Sequence, residues 1–164
     1  MDIFGNRFNA IKGRPKAAGI EALDIGVDGK CRYFISAYNR VGTELAKGQP
    51  VTIDYVITYM FGAIANATTG SEVYKKTAGA LRVTAINELA WFQTGGKGLG
   101  LVDGTADVAA GDALEVINAG TSWIKAGSAR ELATGALALV AQAADSAVLV
   151  DVLYINERHS VEAA

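Results

Sequence analysis

The chain has 164 residues with 15 Lys/Arg, 17 Asp/Glu and one His, a net charge of −2; this suits one domain, or one domain with an arm, and disfavours nucleic acid as a partner, since nucleic-acid binders are usually strongly basic. Its lone cysteine, Cys31, excludes a disulfide scaffold and fits assembly in a reducing compartment. The longest apolar run, Val56 to Ala65, is broken by Thr58 and Gly62, well short of the ~20 residues of a membrane span, and the first residues lack a signal-peptide pattern, so a soluble, unexported protein with no membrane partner is expected.

The charge is unevenly spread. Residues 1–97 carry 12 Lys/Arg against 8 Asp/Glu, and residues 98–164 carry 3 against 9. Such a split can orient a protein on a charged partner, or it can disappear when the surface charges mix in space.

Residues 1–30 are predicted as an extended N-terminal arm, separate from a domain over 31–164. Apolar residues occur there singly (Ile3, Phe4, Phe8, Ile11) without a sustained helical or alternating period. Arg7, Lys12, Arg14 and Lys16 cluster around Pro15. Two readings stand side by side: a segment that lies along a neighbouring subunit with Phe4 and Phe8 as anchors, and a frayed terminus. The candidate contacts with a partner subunit are therefore Phe4, Arg7, Phe8, Lys12, Arg14 and Lys16.

From Cys31 the pattern turns to strand. Cys31 to Tyr38 is aromatic and β-prone, and Asn39-Arg40-Val41-Gly42 follows as a reversal. Val51 to Tyr55 alternates as a half-buried strand does, after Pro50, where a missing N–H does little harm. Residues 60–80 read as a long connection, and Leu81 to Ile86 as a strand, with a helix over 71–90 the competing reading. Trp91 to Ile117 holds three short apolar runs separated by Gly-rich or Asp-Gly punctuation, the mark of compact antiparallel sheet. Thr94 to Gly100 is predicted as a hairpin loop. Ala136 to Gln142 is read as a strand over a competing helix. Ala147 to Ile155, nearly all apolar, is predicted to be buried on both faces.

One internal echo stands out. Leu45 to Ile53 and Val108 to Val116 share an apolar residue, Ala, x-Gly, and an alternating run two residues later, consistent with a tight turn feeding a strand. Together these features predict an all-β fold, a compact β-barrel or β-sandwich of about eight short strands.

Chemistry is sparse. His159, the single histidine, lies near the end of the sequence, a poor place for a catalytic base. With one His and one Cys no usual zinc or iron cluster assembles, and Cys31 reads as a packed, inert thiol. Asp103, Asp107 and Asp112 lack the EF-hand order and read as turn formers. Thr94-Gly95-Gly96-Lys97-Gly98 lacks the hydroxyl and the following helix of a phosphate loop. No catalytic residue, cofactor or metal is expected.

Asn39-Arg40-Val41-Gly42-Thr43-Glu44-Leu45-Ala46-Lys47-Gly48-Gln49-Pro50-Val51, followed by Trp91-Phe92-Gln93-Thr94-Gly95-Gly96, resembles the head decoration, or cement, proteins of tailed bacteriophages. So do Leu101 to Asn118 and the closing Gly135 to Leu139 with Leu149 to Val152. The similarity covers about residues 34–155 and rests on turns and strand starts. It implies a β-barrel-like structural protein, not an enzyme, on the outer surface of an icosahedral capsid, made in the host cytoplasm. The implied partners are the major capsid protein and further copies of the chain, trimers favoured over dimers. The alternative is a virion surface module that contacts a carbohydrate or receptor through exposed aromatics such as Trp91, Trp123 and Tyr154, residues for which packing in the core is the favoured reading.

Overall fold

A computed structural model describes residues 13–26, 28–54, 62–64, 75–116, 120–127 and 135–155. These hold ten strands and no helix. They are β1 (Glu21–Ile25), β2 (Cys31–Asn39), β3 (Pro50–Asp54), β4 (Gly62–Ile64), β5 (Lys75–Ala80), β6 (Leu89–Asp103), β7 (Ala113–Glu115), β8 (Ile124–Lys125), β9 (Ala136–Ala138) and β10 (Ala147–Tyr154). The all-β expectation holds.

The pairings close two rings. In the first, β2 pairs β4 in parallel, and antiparallel contacts run from β4 to β3, β5, β6 and back to β2. In the second, β6 pairs β10, and the order continues through β9, β7 and β8. A parallel bridge from Trp123 to Val102 then returns to β6. Closure removes most sheet edges that would otherwise pair with other chains, leaving β1, paired to β2 alone, as an edge strand. Each barrel has its own core: Ile35, Leu45, Val51, Ile53 and Phe92 fill the first, and Val102, Val108, Leu114, Trp123 and Val152 the second. At about 1.5–3 kcal/mol for each large apolar side chain fully buried, these cores supply the main stabilisation.

One strand serves both barrels. The 15 residues of β6 pair with β2 as far as Gly95 and with β10 from Gly96 onward. The glycine stretch is therefore the crossing point between barrels inside a continuous strand, not a hairpin loop. Gly96 takes φ +83°, and a side chain there would overlap the Cys31 carbonyl of β2. Gly98 leaves room for the Gln93 amide, which donates to the carbonyls of Gly95, Gly96 and Lys97 at 3.0–3.2 Å. Close approach demands the same residue type as a turn does, and composition does not separate the two.

The nine-residue echo is the visible part of a duplication. Leu45 and Thr84 exchange two backbone hydrogen bonds, as do Val108 and Gln142. The Gly48 and Gly111 amides, both at positive φ, donate to Ala80 and Ala138 at 2.8 Å. Gln49 Oε1 accepts from the Ala46 amide just as Asp112 Oδ2 does from Ala109. Strand for strand, β2, β3, β4, β5 and the first half of β6 correspond to the second half of β6, β7, β8, β9 and β10. The first half of β6 thus maps onto β10, the antiparallel neighbour of its second half, so the two repeats run in opposite directions, as about a pseudo-twofold axis at the crossing.

Other boundaries shift locally. The strand expected at Leu81 to Ile86 ends earlier, as β5, and residues 81–88 turn around the isolated bridge at Thr84. Part of the expected long connection is strand, in β4 and β5. Cys31 is exposed rather than packed, because the start of β2 projects past the ring, whose pairing to β6 begins at Tyr33. It should react with an aromatic disulfide reagent in the native state, one thiol per chain, without denaturant.

Candidate functional site

Residues 13–25 lie along the outside of barrel one. The Trp91 indole N–H donates to the Gly13 carbonyl at 3.2 Å. Ser36 donates through Oγ to the Ala17 carbonyl at 2.7 Å, and its backbone exchanges bonds with Gly19 and Ile20. β1 then pairs β2 from Glu21↔Ile35 to Ile25↔Cys31. Under this segment Ala22, Phe34 and Trp91 are buried, with Leu81 packed against them. Of the predicted contact residues, Arg14 is exposed with its guanidinium 3.7 Å from Glu88, and Lys16 is exposed. Phe4, Arg7, Phe8 and Lys12 lie outside the described residues, as does His159.

Glu88 gathers Arg82 at 2.6 Å and the Ala85 amide at 3.0 Å. These contacts, the Arg82 hydrogen bond first, hold its carboxyl below the usual range. The lowered value means its contribution to stability is present above about pH 4.5 and fades as the pH falls.

The matching face of barrel two is open. β10 sends Val152 and Tyr154 into the core, so Leu149, Asp151 and Leu153 point outward. Cross-strand register sets Leu149 against Leu101, Asp151 against Leu99, and Leu153 against both Lys97 and Leu137. Leu139 follows Leu137 on the same face, its amide bonded to the Asp151 carbonyl at 2.9 Å. Leu99, Leu139, Leu149 and Leu153 are 37–40% exposed. The expectation that Ala147 to Ile155 is buried on both faces is thus corrected: one face is core and the other an outward leucine sheet. A run that is apolar but for Asp151 cannot show which, since the other residues read alike whether or not something covers them. Lys97 and Asp151 pair at 2.7 Å within this face.

Beside it, where the barrels meet, is a half-open cleft of about 340 Å³ lined by Arg32, Phe34, Lys47, Lys97, Asp151 and Tyr154 among others. Tyr154 donates its hydroxyl to the Leu99 carbonyl at 2.6 Å. Burial raises its pKa well above the ordinary tyrosine value, the Trp123 indole opposing only in part. Its contribution to stability is full below about pH 10 and is lost as the pH rises toward the raised folded value. In an ultraviolet titration at least one of the six tyrosines should resist ionisation until the protein unfolds, and Tyr154→Phe should remove that late step.

The carboxylates form turns. Asp103 accepts from the Thr105 hydroxyl and amide at 2.6 and 2.9 Å, and Asp112 from Lys125 and the Ala109 amide, both at 2.8 Å. Among the described residues no three His, Cys, Asp or Glu side chains converge as metal ligands would. Trp91, Trp123 and Tyr154 are 6%, 0% and 3% exposed. That bears out core packing for all three and leaves them out of the alternative glycan- or receptor-binding surface.

No protein-family model matches the chain, and no curated protein matches it. Among solved structures, it is similar to the N base of head fiber gp8.5 in bacteriophage phi29. The likeness covers 79% of this chain and 99% of that one, with a TM-score of 0.50 and 12% identity. The fold resembles that of a phage head-fibre base. At this identity the likeness speaks for architecture, and function has to be argued from the surface.

Proposed function

We propose that this protein is a structural component of a phage virion, of the head-decoration or cement type, that binds the outer surface of an assembled icosahedral capsid and bridges major capsid subunits. The observation that carries the reading is the likeness of its two-barrel fold to a head-attached phage protein, together with the resemblance of its turns to decoration proteins. A duplicated barrel suits the role, since two related units in one rigid molecule can engage two neighbouring shell subunits. Binding the assembled shell but not its separated parts stabilises the shell by linkage, and many copies act together through avidity against packaged-DNA pressure. It works without a cofactor and as a homo-oligomer, trimers favoured, with Phe4, Arg7, Phe8, Lys12, Arg14 and Lys16 contributing to subunit or shell contacts.

Cosedimentation tests this. The purified protein should bind expanded capsids saturably and fail to bind unassembled capsid protein, and loaded capsids should withstand heating that opens bare ones. Equal heat resistance with and without the protein would sink the reading.

A further inference from the structure

The pseudo-twofold axis makes each face of barrel one a guide to its counterpart in barrel two. Matching the registers Phe34↔Gln93 and Leu99↔Asp151 aligns Phe34 with Leu99. Likewise Trp91 aligns with Leu149, and Leu81 with Leu139. In barrel one this set lies under residues 13–25 of the same chain: Phe34 and Trp91 are 3% and 6% exposed and Leu81 is half-buried. In barrel two the set is open, at 37–40%. The fold therefore uses this face as a seat for an extended segment, and no described residue of the chain covers the second seat.

We infer that the leucine face of barrel two is covered by residues 1–12 of a second copy of this chain, with Phe4 and Phe8 on Leu99, Leu149 and Leu153. Residues 1–12 supply Ile3, Phe4, Phe8 and Ile11 for an apolar seat, and Arg7 and Lys12 for charge. Among the described residues from Gly96 onward, barrel two carries six Asp/Glu against two Lys, Lys97 and Lys125.

Reach favours another copy. The Gly13 carbonyl accepts from the Trp91 indole, near the end of β6 away from the junction. Leu99 lies eight residues further along β6, roughly 27 Å at about 3.4 Å per residue. The Cα of Phe8 lies at most ~18 Å from that of Gly13, short of Leu99, and Phe4 spans the distance only with the chain fully extended, so the two anchors fit a neighbouring copy better than their own chain. The inference takes up the homo-oligomer of the proposed function and gives it a surface, and it is tested in solution without any shell.

The test uses two full-length variants, Phe4→Asp/Phe8→Asp and Leu149→Asp/Leu153→Asp, each shown to melt as the wild type does. By sedimentation equilibrium the wild type should have a mass that is a multiple of 17.1 kDa, and each variant should associate at least ten-fold more weakly. Mixing the variants should restore a complex, since one keeps the arm and the other the seat, and added salt should weaken it. A monomeric wild type overturns the inference. So does assembly that survives both variants, or that the leucine variant alone abolishes (a face-to-face contact), or a mixture that stays monomeric. Failure to bind capsids by a wild type that passes these tests would overturn the proposed function and leave the inference standing.

Discussion

Gly48→Ala is expected to destabilise the protein by about 3–5 kcal/mol, against about 1–2 kcal/mol for Gly111→Ala. The duplication makes the pair a controlled comparison. Both glycines hold the same place in their repeats, at φ +76° and +93°, and both amides donate to the equivalent carbonyl across the turn. An L-residue is strained in either conformation, and that cost is common to both. Only the surroundings differ. A Cβ on Gly111 would meet open space, whereas one on Gly48 would press on the Leu101 amide, the Gly100 carbonyl carbon and the Leu149 side chain. The Gly48 carbonyl also accepts from Leu101 N–H at 2.9 Å, one of the bonds joining the barrels. Backbone cannot step aside as a side chain can, so the second barrel would have to move. Urea unfolding of the two variants gives the difference directly; equal losses would show that the Gly48 turn does not hold the barrels together.

How far the sequence predicts such detail depends on what each signal can distinguish. β2 and β3 are legible because alternation and aromatic content name a strand whatever its neighbours are. The two turns at Gly48 and Gly111 are legible as an echo because tight turns constrain residue type strongly. The rest of the duplication is not, because barrel interiors accept any apolar side chain of suitable volume: Val51 and Leu114 hold equivalent core positions with different side chains. The crossing at Gly96 reads as a loop because backbone crowding and chain reversal both call for glycine. The candidate docking face is hidden for a related reason. Leu149 and Leu153 look like core from sequence, and only the closure of the second ring shows that they point away from it.

Trp123→Ala should cost about 3–5 kcal/mol and leave barrel two unable to close. The indole is fully buried at the centre of the second core. It meets the Tyr154 ring edge-on at 5.8 Å, an arrangement worth up to about 1.5 kcal/mol beyond burial. A side chain at Gly135 would run into the Trp123 ring, and one at Gly100 would meet Val152 first and then the Trp123 ring. Trp123 also makes the parallel bridge to Val102 that completes the ring, exchanging backbone bonds with Leu101 and Asp103 at 2.8 Å. Truncation therefore removes the largest core side chain and frees the segment that seals the sheet. Phenylalanine at the same place keeps much of the volume and should lose much less. Among the described residues of barrel one, Phe92, Ile35 and Ile53 share the centre, so Phe92→Leu, which removes only part of one of three, should be milder than Trp123→Ala. Fluorescence-monitored denaturation, with Trp91 as the reporter on barrel one, would show whether the first barrel stays folded after the second has opened. Loss of both at one midpoint would mean that the shared strand couples them into a single cooperative unit.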